Sequence, residues 1–160
     1  MALNIRRVRP GEAGLVLGFV RELAEYEKLS HEVEATEAMI ADALFGEKPQ
    51  LHCAVAEWNG EAVGFALWYL TFSTFSGKSG LYLEDLFVQP AHRGKGIGRA
   101  LMIHLARRCV DNSYGHFQWS VLDWNTPSID FYKSLGAVMM DEWTTCRVSG
   151  DALKQLAERT

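Results

Sequence analysis

The chain has 160 residues, 48% of them hydrophobic and 22% charged, with a formal net charge of −4. That length fits one folded domain with a sizeable core, and the composition excludes a mainly disordered chain. The acidic balance, with Lys and Arg scattered apart from Arg6-Arg7-Arg9 and Arg107-Arg108, argues against a phosphate-gripping nucleic-acid binder.

The longest apolar runs, such as Ala66 to Leu70, are far too short to span a bilayer, so no membrane association is expected. Residues 1–7 lack the apolar stretch of a secretory signal. Cys53, Cys109 and Cys146 are odd in number and contain no C-x-x-C pair, which argues against a disulfide framework or a structural zinc site. A reducing, cytoplasmic setting is expected. No repeat or linker divides the chain, so residues 1–160 are read as a single domain.

Ile5 to Val8 reads as a short strand ended by Pro10-Gly11. Leu15, Val16, Phe19, Val20, Leu23 and Tyr26 then recur at helical spacing, which predicts an amphipathic helix from about Glu12 to Lys28. Thr36 is a candidate N-cap of a second helix that stops near Gly46. The period then changes. Cys53 to Trp58 and Ala62 to Phe72 are strand-like and separated by Asn59-Gly60, a strong hairpin signal.

Gly80 to Val88 is the third strand of this meander. Gly96 opens a helix carrying Ile97, Leu101, Leu105 and Val110 on its apolar face. Phe117 to Leu122 is the next strand. Asn125 is placed to cap a helix with Pro127 in its first turn, burying Ile129, Phe131, Tyr132 and Leu135 and ending at Gly136. Two short strands are expected around Asp141-Glu142, and a terminal helix from Asp151. The resulting class is α/β, a mixed sheet with helices on both faces and a central β-α-β unit.

The most informative segment runs from Leu83 through Val88 to Arg93-Gly94-Lys95-Gly96-Ile97-Gly98. A strand feeds a glycine-rich turn that opens a helix, so backbone N–H groups and the helix dipole converge on one spot, an anion site. Arg93 and Lys95 are placed to add charge-assisted bonds. A Walker loop is excluded, since Phe72 stands five residues before Gly77-Lys78-Ser79 where glycine is required. A dinucleotide fingerprint is excluded by Arg99 at its third glycine. The bland alternative is a glycine-rich helix start with no ligand.

The Arg93-x-x-Gly96-x-Gly98 pattern in this context resembles the pyrophosphate loop of the GNAT superfamily of acyl-CoA N-acyltransferases, with element order matching over essentially the whole chain. The resemblance implies acetyl-CoA as co-substrate and a gap between two splayed strands. There the pantetheine arm would pair with Leu86, Phe87 and Val88. Three further stretches, Arg21 to Leu29, Tyr82 to Val88, and Val121 to Asn125 continuing to Ala137, resemble the diamine acetyltransferases. That group includes spermidine/spermine N-acetyltransferase and thialysine N-epsilon-acetyltransferase.

The resemblance assigns Gly94, Lys95, Gly96, Ile97, Gly98, Arg99, Asn125, Pro127, Ser128 and Tyr132 to acetyl-CoA. It assigns Tyr26, Glu27, Glu84, Gln118, Trp119 and Ser120 to the amine. It also implies a homodimer. Trp143 resembles a late tryptophan of the group, but the loop before it is shorter here, which leaves contacts from Asp141 and Glu142 open.

Such a reaction needs a free amine. An alkyl amine has a pKa of about 10.4, and deprotonating it at pH 7 costs about 4–5 kcal/mol. Glu84 is the candidate proton acceptor, working through water, against the alternative of a surface carboxylate. Glu84 and Asp85 are adjacent and are expected on opposite faces of the strand. Tyr132 is the candidate acid for the leaving thiolate, against a core aromatic packed with Phe131. Glu27 would hold a distal ammonium, against a solvated helix end. The histidines show no metal spacing, and no metal is expected. The competing function is a non-catalytic acyl-CoA or polyamine sensor.

Overall fold

A computed structural model describes residues 2–159. The chain divides into two compact units, one ending at Leu122 and the other beginning at Asp123.

The first unit holds a five-stranded sheet in sequential order. β1 (Leu3–Arg7), β2 (His52–Trp58), β3 (Glu61–Ser73) and β4 (Lys78–Val88) pair antiparallel, and β5 (Phe117–Trp119) joins β4 in parallel. Asn59 and Gly60 both have positive φ, 52° and 85°, the geometry that a two-residue hairpin turn demands. α1 (Ala13–Tyr26) and α2 (Glu37–Phe45) lie on one face. Thr36 Oγ1 caps α2 by accepting from Met39 N at 3.2 Å, as expected.

Val16 and Phe19 of α1 and Leu44 of α2 pack with Cys53, Val55, Phe65, Leu67 and Phe87 of the sheet. α3 (Ile97–Asp111) covers the other face with Ile97, Leu101, Met102, Leu105 and Cys109. Val110, expected on that face, is 79% exposed; Cys109 takes the buried position instead. Each large side chain buried in these layers contributes about 1.5–3 kcal/mol. Two buried N–H groups, Trp68 Nε1 and Arg108 Nε, have no hydrogen-bond partner among the described residues. A donor left so typically costs about 1–3 kcal/mol.

The second unit contains α4 (Thr126–Ser134) and α5 (Gly150–Ala157). Among the described residues no strand follows Trp119, which corrects two expectations. β5 stops three residues short of Leu122, and the strands expected around Asp141-Glu142 are absent. Residues 141–150 are exposed, so the apolar–polar alternation there has no surface to bury against and no ladder to join. Likewise, Ile129, Phe131, Tyr132 and Leu135 of α4 are half-buried rather than fully buried.

Candidate active site

β4 is paired to β3 along its whole length, but to β5 only from Leu81 to Leu83. Among the described residues no strand pairs with its other edge from Glu84 to Val88, the gap expected for an extended ligand. Leu86, Phe87 and Val88 lie on this stretch. Val88 O is already engaged, accepting from Arg93 Nε at 3.0 Å.

Beyond β4, a short 3₁₀ turn (Pro90–His92) leads into the glycine-rich segment. Gly94 and Gly96 have φ of 81° and 79°, and a Cβ at either would meet nothing within 4 Å. Glycine is required there by backbone conformation, and the space above it is open. Gly98 has no positive φ and sits inside the first turn of α3. Gly96 caps α3 with no side chain, and the first helical bond is Ala100 N to Gly96 O at 3.0 Å. The N–H groups of Ile97, Gly98 and Arg99 therefore have no helical carbonyl to bond and can face an anion.

The two cations of the loop are held by aromatic rings. The Arg93 guanidinium lies 4.9 Å from the Tyr26 ring centre and 5.4 Å from that of Phe87. Lys95 Nζ sits 4.8 Å from the Trp58 ring centre and 3.2 Å from His92 Nδ1. Neither forms an ion pair among the described residues, so both charges remain available to a ligand.

The carboxylates Glu84 and Asp85 sit at an irregularity of the sheet. β3 and β4 shift register between Leu67 and Trp68, with Leu67 opposite Asp85 and Trp68 opposite Leu83. Glu84 is the extra residue of a β-bulge. Leu83 and Asp85 then face opposite sides, so Glu84 shares a face with one of its neighbours instead of opposing both. Glu84 acts electrostatically on Tyr69, whose ring lies 5.2 Å from that of its partner Tyr82.

Asp85 falls in register with Leu67 and Cys53, an otherwise apolar row on the α1 face. Burial, then the charges of Glu84 and Glu27, push its carboxyl up to about 7. Glu27, at the C-terminal end of α1, is also raised by burial. None of these three carboxylates forms an ion pair among the described residues. Sequence reading named Glu84 and Glu27 but assigned Asp85 no role. The Glu-Asp doublet was the available signal, but it does not reveal which carboxyl is buried.

Gln118 is exposed in the middle of the short pairing with β4, opposite Tyr82, and Trp119 tilts against Phe117 at 4.8 Å. Ser120 Oγ shares a 2.8 Å hydrogen bond with Tyr82 OH. Within the second unit, Asn125 is 4% exposed and its Oδ1 caps α4 by accepting from Ser128 N at 3.4 Å. Pro127 lies in the first turn, where its missing N–H costs nothing. Tyr132 is half-buried, its ring 5.5 Å from that of Phe131. Asp141, Glu142 and Trp143 are exposed in an irregular segment. Among the described residues no group of three His, Cys, Asp or Glu side chains is placed to hold a metal ion.

A model of the acetyltransferase (GNAT) family matches residues 19–137. Thialysine N-epsilon-acetyltransferase of Sus scrofa is 41% identical over 164 aligned residues that cover 96% of each chain. Spermidine/spermine N(1)-acetyltransferase-like protein 1 of Homo sapiens is 31% identical over 96% of this chain and 24% of its own length. Among solved structures, an integron cassette protein of V. cholerae superposes with a TM-score of 0.82 at 29% identity, over 99% of both chains.

Proposed function

The chain belongs to the GNAT acetyltransferase family and is an acyl-CoA-dependent N-acetyltransferase, and from that premise we propose that it acetylates a primary amine of a small cation, a diamine or a thialysine-like amino acid. The observation that carries this reading is the set of unpaired carboxylates, Glu27, Glu84 and Asp85, beside the unpaired edge of β4 and the open glycine-rich turn. Together they join an anion site and a cation-attracting site on one sheet.

In this reading the amides from Gly94 to Arg99 bind the diphosphate, helped by Arg93 and Lys95. Leu86, Phe87 and Val88 pair with pantetheine, and Asn125, Pro127 and Ser128 also contact the coenzyme. The amine binds among Tyr26, Glu27, Gln118, Trp119 and Ser120. Glu84 takes its proton through water. The neutral nitrogen then attacks the thioester carbonyl directly within a ternary complex, the C–S bond breaks, and Tyr132 protonates the departing thiolate. A homodimer and a cytoplasmic setting belong to the same reading, the latter supported by three free cysteines, Cys53, Cys109 and Cys146.

Thiol release from acetyl-CoA across a panel of diamines, polyamines and lysine analogues tests this function. Turnover with at least one small dication is expected. Coenzyme binding without turnover on any amine would replace the enzyme by a sensor. Glu84→Gln is expected to reduce kcat/KM at pH 7 by about a hundredfold and to move the pH–rate profile upward, because the reaction then relies on the free-amine fraction. An unmoved profile would assign the proton to another route.

A further inference from the structure

The second face of the sheet holds a cluster that acetyl transfer does not use. His52 and Trp68 are cross-strand partners whose rings stack at 5.8 Å. Arg108 of α3 places its guanidinium carbon 5.5 Å from the Trp68 ring centre. Arg7, at the end of β1, donates from Nη2 to His52 Nδ1 at 3.2 Å. That bond fixes the imidazole proton on Nε2, so His52 is a further donor. Both arginines, after burial itself, depress His52 protonation, which places the two cations within range of one imidazole.

Trp68 is 3% exposed, and its Nε1–H has no acceptor among the described residues; nor does the buried Nε–H of Arg108. Neither Arg7 nor Arg108 has a carboxylate within ion-pair distance among the described residues. In a chain of net charge −4, two unneutralised arginines beside two orphaned donors lack one component, an anionic acceptor. Arg7 is exposed, so its guanidinium is open to dissolved ions.

We propose that Arg7, His52, Trp68 and Arg108 form a binding site for a small oxyanion, a phosphate or carboxylate group, toward the C-terminal end of α3. Arg108 is eleven residues beyond Ile97, so this site lies about 16 Å along the helix from the glycine-rich turn. The ligand accepts from the indole and guanidinium N–H groups while the arginines neutralise it.

The Trp68 indole ¹⁵N–¹H resonance, assigned by its disappearance in Trp68→Phe, reports on the site directly. The intact protein, with coenzyme A saturating the glycine-rich turn, is titrated with sodium phosphate, sodium acetate, or sodium chloride at matched ionic strength. A saturable shift with phosphate or acetate, absent with chloride, is expected, and which of the two is stronger separates phosphate from carboxylate ligands. Arg108→Met is expected to weaken binding by about tenfold or more, the loss of a charge-assisted pair. The exposed Arg7→Met is expected to weaken it in the same sense and serves if Arg108→Met does not fold. Lys78→Met, at the start of β4 and five residues before Leu83, the cross-strand partner of Trp68, is expected to leave it unchanged. An indole resonance unmoved by both anions, moved equally by chloride, or moved equally in the folded arginine variants would overturn the site.

Discussion

Replacing Tyr132 by phenylalanine is expected to lower kcat by about a hundredfold or more and to leave acetyl-CoA affinity within about twofold. The substitution removes one oxygen and keeps the ring, so the contact with Phe131 at 5.5 Å survives and α4 retains its packing. Its Asn125 cap and its Gly136 terminus, φ 94°, are untouched. What is lost is a proton donor at the moment the C–S bond breaks. A thiolate departing into a site without a donor must carry its full charge, and that penalty appears only in the transition state.

The signature is therefore a fall in kcat and kcat/KM by the same factor. Steady-state kinetics combined with calorimetric titration of acetyl-CoA separates the possibilities. Wild-type turnover in Tyr132→Phe removes the phenol from the chemistry. A parallel loss of coenzyme affinity would make it a binding residue.

Local signals with an unambiguous stereochemical cause were legible in the sequence. Asn59-Gly60 gave the hairpin because both residues tolerate positive φ, and Thr36 and Asn125 announced their helices because each has a side-chain oxygen one turn before an apolar stripe. Gly94 and Gly96 identified the turn for the same reason. The glycine at 98 carried no such information, since it is helical.

Non-local pairing was harder to read. The β4 bulge depends on how Leu67 and Trp68 of β3 meet Leu83 and Asp85, and nothing within Leu81 to Val88, a nearly continuous apolar run broken only by Glu84-Asp85, marks the slip. The strand expected to reach Leu122 ends at Trp119, opposite Leu83, where the β4 bulge begins and the parallel ladder stops. The strands expected near Asp141 fall in an exposed segment that joins no ladder among the described residues. Asp85 is the consequential case. Its identity was visible, but its burial follows from the register of three strands.

That burial has a thermodynamic consequence. Asp85→Asn is expected to stabilise the protein at pH 8 and to have little effect at pH 4. In the folded chain the carboxyl is raised from 3.8 to about 7, chiefly by burial and then by Glu84 and Glu27. Well below 3.8 both folded and unfolded chains hold the proton, and at pH 4 the unfolded chain has only begun to lose it, so the penalty there is still small. Between the two values the unfolded state loses the proton while the folded state keeps it, so the folded state binds more protons and stability falls as pH rises. Above about 7 the full penalty is present: the folded chain holds a buried charge between two others.

A shift of about three units corresponds to at most about 4 kcal/mol. In a domain of this size that is a gain on the order of 10 °C in melting temperature for Asp85→Asn at pH 8. Asparagine keeps the volume and removes only the charge, so the comparison isolates ionisation. The gene thus keeps a destabilising carboxyl in the row formed by Cys53 and Leu67, next to the residue assigned to take the amine's proton. A carboxyl that titrates near 7 is matched to accept that proton from Glu84 and release it to solvent. Thermal unfolding of both proteins at pH 4 and pH 8, with kcat/KM over the same range, tests the pair of claims. Equal gains in melting temperature at the two pH values would show that Asp85 keeps an ordinary carboxylate's titration in the fold, and a pH–rate profile identical to wild type would separate it from the proton's path.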